Sequence, residues 1–159
     1  MLKKHAGFFK SLFFIFDLFI LSLTWILSYI LRFFTALIRP PILGTPDFGV
    51  YIKFLPFILL IWTVFSKGMK LYRPRRIEKF LGEIFEVAKC LTLTLFILIA
   101  VIYLFKRFEF SRLAFFYFWL MSILGLISIR FFARETLRIL RKKGYNKRFA
   151  LIAGAGELG

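Results

Sequence analysis

The sequence is poor in most of the groups from which soluble enzymes build chemistry. It has one cysteine, Cys90, and one histidine, His5. An intrachain disulfide is therefore excluded, and neither a zinc site nor a Cys–His couple of usual spacing can be assembled. Acids are also scarce, 8 against 24 lysines and arginines. No carboxylate pair or nucleophile–base set falls within one connected soluble stretch. Glu78, Glu83 and Glu86 recur at helical spacing, but they stand among basic residues that they balance. No segment is long enough to form an independent soluble catalytic domain. On this reading the chain itself carries no catalytic residue, binds no cofactor and holds no metal.

Apolar side chains are what the sequence has in abundance. Hydrophobic residues make up 60% of the 159 positions, aromatics 21%, and phenylalanine alone occurs 24 times. A water-soluble domain of this size could not hide so much apolar surface, whereas a bilayer solvates it. Four runs, at about residues 11–30, 50–65, 84–105 and 113–132, approach or exceed the length that crosses a hydrocarbon core of roughly 30 Å. The first follows Lys3 and Lys4 in the manner of a secretory signal. It is too long for one, and it ends in Arg32-Phe33-Phe34 rather than at a small-residue cleavage site, so it reads as an uncleaved span. Arg39-Pro40-Pro41, Gly44-Thr45-Pro46 and Tyr72-Arg73-Pro74 break the connections, because proline cannot donate to a helix and disfavours helix in its predecessor.

The net charge of +16 would suggest nucleic acid in a soluble protein. No nucleic-acid-binding module is visible, and basic residues beside apolar spans mark cytoplasmic ends and contact anionic headgroups. The expected partner is membrane lipid, not nucleic acid. The heaviest basic blocks are Lys67 to Lys79 and Arg134 to Arg148, whereas the first connection has only Arg32, Arg39 and Lys53 over a longer stretch. Both heavy blocks must share a side, which places both termini in the cytoplasm. Between the second and third runs, Ile77, Phe80, Leu81, Ile84 and Phe85 recur at helical spacing, with Arg75, Arg76 and Lys79 on other faces. This is the pattern of a basic amphipathic helix lying in the interface, an anchor or an aid in holding an anionic phospholipid or polyprenyl phosphate.

Asp17 is the one acid well inside a span, about seven residues or roughly 10 Å past the cytoplasmic edge. An intramembrane charge is costly and finds a partner or a wet cavity. Lys89 and Arg130 lie toward the same face, so Asp17 is expected to pair with one of them and fix bundle geometry. A place at a lipid or substrate portal is the functional alternative. Trp25, Tyr29, Trp62, Tyr103, Tyr117 and Trp119 read as interface belt or bundle packing, and the phenylalanines as lipid-facing surface. Beyond the fourth run, Gly144 and Asn146 supply a helix stop, and Arg148 to Ala153 is a short run of strand type. Gly154-Ala155-Gly156-Glu157-Leu158-Gly159 then opens a dinucleotide-binding unit, whose Gly154, Gly156 and Gly159 allow the tight turn and close phosphate approach. A single strand cannot form a sheet, and the acidic residue expected about twenty positions later is lacking, so nucleotide binding by this chain is not expected. The fold class expected is all-α membrane: a four-transmembrane-helix bundle over 1–147 with a basic amphipathic interfacial helix. The first strand of a truncated Rossmann-like domain follows over 148–159.

This order of elements resembles the N-terminal membrane region of the large bacterial polyprenyl-phosphate glycosyl-1-phosphate transferases of exopolysaccharide and O-antigen synthesis. The matching stretches are Phe16-Asp17-Leu18 with Trp25 and Tyr29-Ile30-Leu31-Arg32-Phe33, then Leu71-Tyr72-Arg73-Pro74-Arg75-Arg76. Phe110-Ser111-Arg112 before the fourth run, Gly144-Tyr145-Asn146 and the terminal glycine motif complete the pattern. The resemblance implies a Rossmann-like domain and then a catalytic domain in the parent. That catalytic domain moves a sugar phosphate from a nucleotide sugar to undecaprenyl phosphate with an Asp–Glu pair and Mg2+. No position here corresponds to those residues, so the chain is expected to be the membrane-anchoring portion of a transferase in the bacterial inner membrane. Self-association through the membrane part is compatible with this. Membrane-bound nucleotide-sugar 4,6-dehydratases or epimerases share the four spans, and a non-catalytic scaffold module fits as well. A channel subunit fits poorly, since nothing resembles a selectivity-filter loop such as TVGYG.

Overall fold

A computed structural model describes residues 2–35, 47–72, 80–105 and 111–142. Among them it contains four helices and no strands: α1 (Leu2–Phe33), α2 (Phe48–Gly68), α3 (Phe80–Phe105) and α4 (Arg112–Lys142). Each contains a stretch long and apolar enough to cross a membrane: Lys10–Phe33, Phe48–Gly68, Leu81–Leu104 and Arg112–Thr136. The four apolar runs are thus helices at the expected places. Phe80 to Glu86, expected in an interfacial helix, form the first turns of α3 itself. Residues 73–79 of that expected helix, and the strand and glycine motif of 148–159, lie outside the described residues.

Local chemistry sets the helix ends. Asp47 caps α2, its carboxylate accepting from the Gly49 backbone N–H at 3.2 Å. Pro56 sits inside α2 and removes one backbone donor, a loss that spanning helices tolerate. Beyond Gly68 the amides of Lys70 and Leu71 return to the carbonyls of Lys67 and Ser66 at 3.1 and 3.0 Å. That is the paired closure of a Schellman turn, with Lys70 in the left-handed region at φ 53°. α4 begins as the Ser111 carbonyl accepts from Ala114 at 3.0 Å.

Two compact units divide the chain, Met1–Ser128 and Ile129–Gly159. In the first, α2 packs on α1 and on α3. Every helix turns a stripe of helical period inward: Asp17, Leu21, Thr24, Trp25 and Ser28 on α1, and Tyr51, Phe54, Ile58, Trp62 and Ser66 on α2. On α3 the stripe is Val87, Cys90, Leu91, Thr94 and Leu98, and on α4 it is Phe115, Phe118, Ser122 and Leu126. The outward faces are strongly apolar as well, with Ile15, Phe19, Leu60, Phe96, Leu104 and Leu124 all exposed. So much exposed apolar surface is unlike a water-soluble bundle. The phenylalanines divide accordingly: Phe19, Phe57, Phe85 and Phe96 face out, whereas Phe54, Phe115 and Phe118 pack inside.

The hydroxyls bond largely within their own helices. Ser22, Thr63, Thr92 and Thr94 each donate to the carbonyl four residues earlier, at 2.6 to 2.9 Å. Others tie helices together. Thr24 Oγ1 and Ser122 Oγ share a buried hydrogen bond of 2.7 Å between α1 and α4, and Trp119 Nε1 donates to Thr92 Oγ1 at 3.1 Å between α4 and α3. Close approach of α1 and α4 depends on Gly125, where a Cβ would stand 2.8 Å from Ile20 Cγ2. In the second unit Arg130 is buried, Phe131, Phe132 and Ile139 are exposed, and Arg138 donates to Glu135 at 2.9 Å.

Candidate functional site

Two side-chain clusters stand out in the Met1–Ser128 unit. At the end where α2 finishes, Asp17 is fully buried. The Schellman turn at Lys70 reverses the chain so that Tyr72 folds back along α2. Its hydroxyl donates to Asp17 Oδ2 at 2.7 Å and accepts from Trp62 Nε1 at 3.2 Å. Trp62 is as fully buried as Asp17. Phe14 meets the Tyr72 ring edge to face at 5.7 Å, and the Lys67 ammonium lies 5.6 Å from the Phe14 ring centroid. One turn residue thus connects an acid of α1 to an indole of α2.

The opposite end is aromatic. Trp25 Nε1 donates to the Tyr51 carbonyl at 2.9 Å, and the Trp25 ring meets Phe118 edge to face at 5.2 Å. Tyr29 packs on Tyr51 at 4.8 Å and on Phe33 at 4.9 Å. Arg32 Nε donates to Ser111 Oγ at 2.7 Å, joining the end of α1 to the residue before α4. Tryptophan and tyrosine here serve the interior: Trp25, Tyr29 and Trp62 are buried in the bundle, Tyr117 and Trp119 are half-buried, and Tyr103 is exposed at 78%.

Of the residues singled out in the sequence, Asp17 is a buried acid holding a hydroxyl, and Arg130 is buried as well. Lys89 is exposed on α3, its ammonium 5.8 Å from the Phe85 ring centroid. Gly154, Gly156 and Gly159 lie outside the described residues. Tyr72 went unassigned in the sequence, although it stands in the Leu71-Tyr72-Arg73-Pro74 stretch. Its partner is set by a left-handed lysine, a conformation that composition does not announce. Among the described residues no group of three or more His, Cys, Asp or Glu could hold a metal ion. What this end can do is fix a turn and present the exposed cations Lys67 and Lys70 beside it.

A family model described as a CoA-binding domain matches residues 68–158, more than half of the chain. The domain is found in members of sugar transferase families. The described part of the matched stretch comprises the turn after α2, α3 and α4. Neither a curated protein nor a solved structure matches the chain.

Proposed function

The chain belongs to the CoA-binding domain family through residues 68–158, and from that premise we propose that it is the membrane-anchoring part of a sugar transferase. The transferase moves a sugar-1-phosphate from a nucleotide sugar to undecaprenyl phosphate in exopolysaccharide or O-antigen synthesis. The observation that carries this reading is the set of four apolar helices lying ahead of a G-x-G-x-x-G motif in a family of this kind. The apolar outward surface of the bundle supports insertion in a bilayer, since its exposed phenylalanines and leucines need lipid to solvate them. The surplus of Lys and Arg after α2 and in the tail supports cytoplasmic termini in a bacterial inner membrane. Pairing of Asp17 with Lys89 or Arg130 belongs to the same reading as a brace of bundle geometry, as does contact of the basic connection with lipid or polyprenyl phosphate. Self-association of the bundle also remains part of it. Coenzyme A is not proposed as a ligand, because apolar spanning helices make up most of the matched stretch that is described.

The test begins with the gene beyond the codon for Gly159, followed by expression of the whole reading frame in bacterial membranes. The membranes are given undecaprenyl phosphate and a panel of radiolabelled UDP-sugars, and lipid-linked sugar phosphate is measured. A lipid-linked product that disappears when residues 1–142 are deleted is the expected result. Absence of any lipid-linked product overturns the reading, and a 4,6-dehydrated nucleotide sugar in its place assigns the chain to a dehydratase.

A further inference from the structure

The turn after α2 is held in a costly shape. Lys70 occupies the left-handed region at φ 53°, where a Cβ is disfavoured and glycine is the usual occupant. Gly68 stands only two residues earlier, yet the turn places lysine at the left-handed position. The local hydrogen bonds of the turn are ordinary: Met69 to Phe65 at 2.8 Å, Lys70 to Lys67 at 3.1 Å and Leu71 to Ser66 at 3.0 Å. A strained backbone persists when its surroundings over-determine it. Here those surroundings are side chains of two other turns of helix, the Asp17 carboxylate and the Trp62 indole, both fully buried and both bonded to one hydroxyl. A hydrogen bond is stronger where water is excluded.

We propose that residues 69–72 form a strap, fastened by the Tyr72 hydroxyl to Asp17 and Trp62, that opens and closes as a local unit while the bundle stays folded. Strain at Lys70 favours opening, and the hydroxyl relay favours closure. In the closed state the strap holds the exposed Lys70 close to the exposed Lys67 at the end of α2. In the open state Tyr72 leaves the Phe14 ring, and the amides of Lys70 and Leu71 lose their carbonyl partners.

Hydrogen exchange by mass spectrometry on the detergent-purified full chain tests this, read on the peptide covering residues 66–72. Tyr72→Phe keeps the ring contact with Phe14 and removes the hydroxyl. Exchange in that peptide should rise about fivefold or more, the factor carried by one net hydrogen bond. Peptides from the middle of α1 and α3 should exchange as in the wild type. Lys70→Gly removes the strain and should slow exchange in the same peptide. Unchanged exchange in Tyr72→Phe overturns the strap, and so does an increase spread equally over all four helices, which would make the hydroxyl a general support of the bundle. Faster exchange in Lys70→Gly overturns it as well.

Discussion

Gly125→Ala is the substitution with the clearest structural consequence. The added methyl carbon would stand 2.8 Å from Ile20 Cγ2, against about 3.5–4.0 Å for two carbons in ordinary contact. Ile20 cannot easily swing aside, because a β-branched residue in a helix has one strongly preferred χ1. Either α1 and α4 move apart or the side chain leaves its rotamer, and overpacking of this kind costs about 1–3 kcal/mol. Alanine is intrinsically the better helix former by about 1 kcal/mol. That gain largely cancels in an unfolding experiment whose end state keeps its helices, as in SDS. Separation of α1 from α4 would also stretch the Thr24–Ser122 hydrogen bond, adding to the loss. The assay is unfolding of the purified protein in mixed decylmaltoside and SDS micelles, followed by the fluorescence of the buried tryptophans. Gly125→Ala should lower stability by about 1–3 kcal/mol. Adding Ile20→Leu, which keeps volume but removes Cγ2, should return part of that loss. A neutral or stabilising Gly125→Ala, or no recovery in the double variant, would refute the close approach of the two helices.

Thr24→Val and Ser122→Ala, taken singly and together, should give a coupling of about 0.6 kcal/mol and no more than about 1.7, the range for interhelical hydrogen bonds in membranes. Zero coupling in the same unfolding assay would remove the α1–α4 bond. Cys90 is fully buried. It should therefore resist a maleimide in the folded protein and react once SDS is added, and rapid labelling of the native state would contradict the α3 packing. In a Cys90→Ala background, cysteine at Asp47 should be labelled by a membrane-impermeant maleimide in intact cells, and cysteine at Lys70 only after lysis. The reverse pattern would overturn cytoplasmic termini.

The positions of all four helices were legible because their signal is thermodynamic and local: twenty or so apolar residues have few alternatives to crossing a bilayer. Asp17 was legible as an anomaly for the same reason, since a carboxylate among phenylalanines stands out against its background. Its hydroxyl partner was not. Tyr72 lies 55 residues away and arrives through a left-handed Lys70, and no propensity rule assigns that conformation to lysine. The aromatic residues were ambiguous in sequence because a tryptophan suits an interface belt and a helix seam equally well. Structure resolves them by register: Trp25 and Trp62 fall on inward stripes with Leu21 and Ile58, and Tyr103 does not. The start of α3 was less legible because Phe80 to Glu86 carry both charge and apolar residues, a pattern shared by an interfacial helix and by the first turns of a longer apolar one.

The apolar exterior of the bundle changes how the protein could be made more robust. In a water-soluble helical protein an engineer adds bulk to the interior and charge to the exterior. In the bilayer proposed for this bundle the exterior side chains would face a solvent as greasy as themselves, so enlarging Phe96 or Leu124 would gain little cohesion. The profitable positions are the inward polar ones, Thr24, Ser28, Thr94 and Ser122, where smaller groups or added donors draw helices closer, whereas Gly125 has no room for even one added carbon. A library built by ordinary core-filling rules would concentrate its changes at the positions least able to accept them.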